Sequence, residues 1–175
     1  MQHTLFSSAL ICCTLLCCTN SSKGTPEDEH TVIKQPIDSI VIIKNKRQME
    51  VYNHRQLVKV YHVCLGPNPI GPKHFRNDGK TPEGIYSING KNPNSHYHKC
   101  LAVSYPNAED VRYAQGAGKP SGGDIKIHGL PNGYGNMAKE YSSQDWTLGC
   151  IALTDNEIDE LYAHVVVGTC VNILP

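Results

Sequence analysis

A histidine at position 128 and a cysteine at position 150 carry the chemistry this sequence offers. They lie in Ile125-Lys126-Ile127-His128-Gly129 and in Asp145-Trp146-Thr147-Leu148-Gly149-Cys150-Ile151-Ala152-Leu153. Cysteine attacks carbonyls as its thiolate, and a neighbouring imidazole is the usual group to take the thiol proton. The pair reads as the base and the nucleophile of a cysteine acyl-transferase. Gly149 lets the backbone turn tightly just before the nucleophile, so that N–H groups of Thr147, Leu148 and Gly149 can aim at one point. An oxyanion hole of that kind is worth on the order of 3–4 kcal/mol per donor. Gly129 leaves room beside the imidazole, and its carbonyl can accept the second ring N–H and fix the tautomer. A histidine and a cysteine this far apart prove little alone, since satisfied histidines and buried cysteines are common. These two stand out because each adjoins a glycine and a β-branched, strand-like run.

The surrounding elements have to hold that pair. Ser39 to Ile43, Gln48 to Tyr52 and Leu57 to Val63 read as three strands at hairpin spacing, the start of an antiparallel sheet. Residues 66–84 form a long loop rich in Pro and Gly, and a connection of that length is usually functional or wrapped over the surface. Gly84 to Ile88 is a strand ended by an Asn92-Pro93-Asn94 turn, and Cys100 to Tyr105 is another. Asn107 can cap a short helix through Ala114, with Asp110 in its first turn. The alternation of Ile125-Lys126-Ile127-His128 puts the histidine on the face opposite both isoleucines, toward a cleft. Thr154-Asp155-Asn156-Glu157 is a capping box. Ile158, Leu161, Tyr162 and Val165 then mark one apolar helix face. Gly168 ends that region, and Cys170 to Leu174 closes the sheet. The expected architecture is mainly β: a β-sandwich of mixed and antiparallel strands with one helix packed after the nucleophile.

Composition excludes several function classes. Sixteen Lys and Arg balance 16 Asp and Glu, so nothing argues for nucleic acid. No block of like charge suggests a membrane-surface patch. The Gly-rich stretch 116–123 lacks the spacing of a phosphate-binding loop. Four of the eight cysteines, Cys12, Cys13, Cys17 and Cys18, fall in the first segment. No pair among Cys64, Cys100, Cys150 and Cys170 has CxxC spacing, so neither a structural zinc nor any other metal or cofactor is expected. A disulfide among Cys64, Cys100 and Cys170 stays open. Cys64 and Cys170 lie in apolar runs and read as small buried core residues.

Residues 1–18 read as a signal peptide. Leu5 to Cys18 has no charge, and about 14 residues suits a signal core and is short for a membrane span. Leu15-Leu16-Cys17-Cys18 is similar to a lipobox, which would make Cys18 the lipidated residue and Cys13 a poorer candidate. Residues 19–36 read as a solvated tether, and 37–175 as the catalytic domain. The domain is then exported, to the periplasm or as a membrane-anchored lipoprotein of the cell envelope.

The order of the pair, histidine before cysteine, differs from that of papain-like proteases. His128-Gly129 followed by Thr147-Leu148-Gly149-Cys150-Ile151 resembles the His-Gly…Ser/Thr-x-Gly-Cys-Ile/Val signature of L,D-transpeptidase catalytic domains, the YkuD type. Lys80-Thr81-Pro82-Glu83-Gly84-Ile85-Tyr86 resembles that family's Thr-Pro-x-Gly segment. Leu101 to Asn107 and Gly122 to Gly129 also have counterparts, so the likeness covers roughly Ile40 to Pro175.

The resemblance implies a β-sandwich acting on peptidoglycan stem peptides, and the chain reads as a monomer. Cys150 would be the nucleophile and His128 the proton acceptor and donor. Gly129 would orient His128, and Thr147, Leu148 and Gly149 would supply the oxyanion hole. Many members carry Arg two residues after the nucleophile, where this chain has Ala152. The Gly-Cys-Ile-Ala form is similar to a subgroup that also hydrolyses peptidoglycan links, including those to attached lipoprotein. Alternatives are therefore an L,D-carboxypeptidase or endopeptidase, and a peptidoglycan-binding lipoprotein without catalysis. Tyr97, His98 and Trp146 are the further candidates for substrate contact, and a metal site of His128, Cys150 and His98 is the remotest reading. Tyr86 and Tyr105 read as core or rim aromatics, and Lys73, His74 and Arg76 as a solvated loop or a carboxylate contact.

Overall fold

The computed structural model describes residues 32–175. The leader, its candidate Cys18 and most of the tether fall outside that range. Eight strands alternate with three α-helices: β1 Ile37–Ile43, β2 Gln48–Asn53, β3 Gln56–His62, β4 Gly84–Ser95, β5 His98–Val103, α1 Ala108–Gly116, β6 Lys126–His128, α2 Ala138–Tyr141, β7 Ile151–Ala152, α3 Asp155–His164 and β8 Val165–Leu174. Two 3-10 turns, at Lys44–Lys46 and Gly135–Met137, complete the set. None of these helices is long and apolar enough to cross a membrane.

The mainly β fold forms as one mixed sheet in the order β3-β2-β1-β8-β4-β5-β6-β7. Two pairings are parallel, β1 with β8 and β6 with β7, and the rest are antiparallel. The two faces expected of a sandwich belong to this one sheet, because β4 serves both halves. Its residues Gly84 to Ser87 pair with β8, and those from Ile88 to Ser95 pair with β5. The sheet curls until its ends meet. Cys64, just beyond β3, bridges Ala152 of β7 through Cys64 N–H to Ala152 O at 3.0 Å and Ala152 N–H to Cys64 O at 2.8 Å.

Period-2 alternation fills the inside of that curl. Ile40, Ile42, Met49, Val51, Ile88, Leu101, Ile127, Ile151, Val171 and Ile173 are all at most 1% exposed and share one core with Ile158 and Leu161 of α3. Each such aliphatic is worth about 1.5–3 kcal/mol of burial. The same alternation corrects one expectation. Cys170 lies between buried Thr169 and Val171, so it points outward and is exposed. Cys64 is buried as expected, and the four described cysteines are unbridged.

The Asn92-Pro93-Asn94 turn is also corrected. Pro93 sits at a register shift between Asn92 and Ser95, where an exposed strand loses no ladder bond to the missing N–H. The chain reverses after Ser95, and Ser95 pairs with His98. Both helix caps form as read. The Asn107 side chain accepts from Glu109 and Asp110 N–H, and Thr154 and Glu157 cap each other's backbone. β8 begins at Val165, directly after α3, so the closing strand starts earlier than Gly168 implied.

The long loop 66–84 is packed from within. Lys44, 1% exposed, gives its ammonium to Glu83 at 2.8 Å, Gly71 O at 2.7 Å and Thr81 O at 3.1 Å. All three of its donors are met, which makes a buried lysine tolerable. Burial nonetheless draws its pKa down, against the pull of Glu83. Asp78 holds the outer half of the loop, accepting from Lys73 Nζ and from the N–H groups of His74, Phe75 and Lys80. Lys73 is thus buried in its own loop and not solvated.

Candidate active site

Cys150 and His128 line the same cavity, of about 790 Å³. β6 and β7 bring them together: the parallel register sets Ile127 beside Ile151 and His128 beside Ala152, so Cys150 precedes the strand on the same edge. His128 is 3% exposed, and its Nδ1 lies 2.7 Å from Gly129 O. A carbonyl only accepts, so Nδ1 carries the hydrogen and Nε2 keeps its lone pair. Gly129 cannot be larger. A Cβ there would meet Asp155 Oδ1 at 2.7 Å, with Ile158 and His98 at 3.0 Å. Asp155 also accepts from Leu130 N–H at 2.8 Å, so the first turn of α3 clamps the chain just past the histidine.

The turn before Cys150 is tied by Thr147. Its Oγ1 accepts from Gly149 N–H at 3.1 Å and donates to Cys150 O at 2.8 Å. Its own N–H goes to Leu65 O at 3.0 Å. Among the described residues the amides of Thr147 and Gly149 are therefore engaged, and those of Leu148 and Cys150 have no partner. Gly149 has φ +121°, and a Cβ on it would overlap Lys80 O. Thus the Thr-Pro-x-Gly loop, pinned by Lys44, presses on the nucleophile turn from behind.

Burial works against charge on both members of the pair. Burial pushes the Cys150 thiol up, only partly offset by a backbone hydrogen bond and the Lys126 cation. Burial draws His128 down, with Lys126 adding to it and the Gly129 bond opposing. The thiol donates to Asp124 O at 3.6 Å. Lys126, paired with Asp124 at 2.5 Å, also lines the cavity. For Lys126, burial works to lower the pKa, but the Asp124 carboxylate prevails and raises it.

Aromatic rings form one wall. Tyr97 lies 4.6 Å from the His128 ring centroid, and Trp146 meets His128 edge-on at 5.7 Å and Tyr141 at 5.1 Å. Trp146 therefore sits between the rings of His128 and Tyr141. His98, expected here, is elsewhere. With φ +59° it directs its Nε2 to Asp159 Oδ1 of α3 at 2.7 Å, where Lys99 also binds. His96, two residues earlier, lines the cavity in its place. His128, Cys150 and His98 thus do not converge, and among the described residues no group of three His, Cys, Asp or Glu is placed to hold a metal.

The family model described as the L,D-transpeptidase catalytic domain, YkuD, matches residues 37–173. The chain belongs to that family. A relative named YafK, from Escherichia coli K12 and named within the L,D-transpeptidase family, is 30% identical over 155 residues, 83% of this chain and 55% of its own. The chain thus spans about half the length of the curated relatives it matches. Among solved structures, the helical cell shape determining protein Pgp2 of Campylobacter jejuni (K307A mutant) aligns with TM-score 0.57 and 25% identity, over 84% of this chain and 51% of that one. Bd1075 of Bdellovibrio bacteriovorus gives 0.56 and 20%, over 82% and 52%. An L,D-transpeptidase of Mycobacterium smegmatis gives 0.52 and 14%, over 78% and 58%, and these last two share the fold.

Within this L,D-transpeptidase domain the sequence did not disclose what braces the nucleophile segment. Asp145 takes a forked pair of bonds from Arg47, with Nε at 3.0 and 3.1 Å and Nη2 at 2.7 Å, and accepts from Leu65 N–H at 2.9 Å. Ala152 is 2% exposed, and its backbone is held in the Cys64 bridge. Arg47 thus braces the turn from the β1–β2 connection. No local sequence pattern links residues so far apart.

Proposed function

We propose that this chain is a cysteine L,D-transpeptidase that acylates Cys150 with a peptidoglycan stem peptide. The observation that carries the reading is the hydrogen bond from His128 Nδ1 to Gly129 O, which leaves Nε2 basic in the cavity that Cys150 lines. His128 takes the thiol proton as Sγ bonds to the donor carbonyl carbon. The oxyanion is met by the amides of Leu148 and Cys150, the two in the segment without internal partners. The intermediate collapses, the C–N bond to the terminal D-amino acid breaks, and His128 returns the proton to the departing amine. An acceptor amine then attacks the thioester carbonyl, His128 takes its proton, and the C–S bond breaks as that proton returns to the Cys150 sulfur.

Water in place of that amine makes the same residues an L,D-carboxypeptidase or endopeptidase, with a peptidoglycan-attached lipoprotein as one further substrate. The substrate sets the chain in the cell envelope, exported by residues 1–18 and, through Cys18, anchored by lipid. Incubation with disaccharide tetrapeptides and separation of the products is the test. New 3-3 crosslinks are the expected outcome, while shortened stems alone assign the enzyme to hydrolysis. Identical products from Cys150→Ala would remove the mechanism, whereas no products from the unaltered protein would leave a peptidoglycan-binding protein.

A further inference from the structure

Three cations line the cavity, Lys73, Arg76 and Lys126. Two are already neutralised. Lys73 is paired with Asp78 at 2.8 Å and Lys126 with Asp124 at 2.5 Å. Arg76 alone has no ion pair or side-chain hydrogen bond among the described residues, although its side chain borders the cavity. Its backbone is nevertheless fixed. Arg76 N–H donates to Pro120 O at 2.9 Å, and the residues before it are held by Asp78, which accepts from His74 and Phe75 N–H. The His74 ring stacks on Tyr113 of α1 at 3.9 Å, and this anchors the loop to the helix beside it. A guanidinium on a tethered backbone, facing a reactive thiol's cavity and lacking an anion, is prearranged for a planar carboxylate that it can meet with two parallel bonds.

We infer that Arg76 binds a carboxylate of the acyl donor and so selects donors that carry one. This rests on the proposed action on stem peptides, which bear two suitable groups: the carboxylate of the departing D-amino acid and the side-chain carboxylate of a diamino diacid. Lys126 does not serve, because Asp124 already occupies it. Ala152 does not serve, because it is sealed in β7.

The test measures kcat/KM of the full chain and of Arg76→Gln with three donors: a tetrapeptide with both carboxylates free, one amidated at the side chain, and one amidated at the C-terminus. Alkylation of Cys150 by iodoacetamide serves as the check on an intact site. We expect Arg76→Gln to lose roughly 10- to 100-fold on the free donor, as for a charge-assisted pair. The alkylation rate should be unchanged. One of the amidated donors should react equally with both proteins, and that donor names the carboxylate. Loss by the same factor on all three donors, or no loss on the free donor, overturns the assignment of Arg76 and leaves the acyl-transfer reading standing. Failure of the unaltered protein to turn over any donor counts instead against the acyl-transfer reading, and with it removes the basis of this one.

Discussion

Arg47 and Asp145, 98 residues apart in the chain, join the connection between β1 and β2 to the segment five residues before Cys150. The pair is part-buried, at 29% and 18% side-chain exposure, so the forked contact is only moderately screened. Asp145→Asn keeps an acceptor for Leu65 N–H but gives up the charge. We expect a loss of about 1–3 kcal/mol in urea unfolding and a slower acylation of Cys150 in single-turnover assays, by about tenfold. Wild-type acylation in that variant would show that the turn is placed without its brace.

Thr147→Val removes a hydroxyl that both receives the Gly149 amide and reaches the Cys150 carbonyl. Acylation should fall by about 10- to 100-fold with little change in Tm, and Thr147→Ser should restore most of it. Equal losses in the Val and Ser variants would mean that the methyl group matters as much as the oxygen and would count against the hydrogen bonds as the cause.

Gly149→Ala sets a side chain at φ +121° against Lys80 O. Strain at such a position costs on the order of 1–3 kcal/mol, and the displaced turn should abolish thioester formation, read by intact mass with a carbapenem. A fully acylated variant would count against this geometry.

The pH behaviour follows from burial. With His128 held below its ordinary 6.5, the imidazole stays neutral and basic further into acid, so the acidic limb of kcat/KM should lie below pH 6.5. For stability the unfolded chain takes up the proton first, so stability is full above pH 6.5 and is lost as the pH falls through that value. The raised thiol gives the opposite limb. The unfolded thiol ionises first, and stability declines as the pH climbs past 9.0. Iodoacetamide alkylation without substrate should still be rising above pH 9.0. A plateau at neutral pH would show a resting thiolate and refute the neutral pair.

His98→Ala should leave kcat/KM within a few-fold, since that ring is bound to Asp159 and away from the cavity. Tyr97→Ala uncovers the His128 ring and should cost more, about tenfold. The reverse ranking would return His98 to the substrate.

How much could be read in advance depended on the range of each interaction. The box of Thr154 and Glu157 lies within four residues, and the alternation that hides Ile127 and turns His128 toward the cavity is just as local. The hydrogen bond of His128 to Gly129 was open to reading for the same reason. His98 was misplaced because its partner Asp159 is 61 residues on and belongs to another element. Lys73 read as solvated although its partner Asp78 is only five residues on, because a loop rich in Pro and Gly has no periodicity to show that it folds back on itself. Cys170 was misjudged because an apolar run does not say which face of a strand is covered.

The closure of the sheet by Cys64 and Ala152 bears on when this molecule becomes reactive. β7 is only two residues long and holds its place by leaning on β6 on one side and on a stretch almost 90 positions upstream on the other. A chain that has not yet brought those distant neighbours together carries an ordinary, undirected thiol. In the proposed mechanism, chemical competence therefore waits on the closing of the sheet.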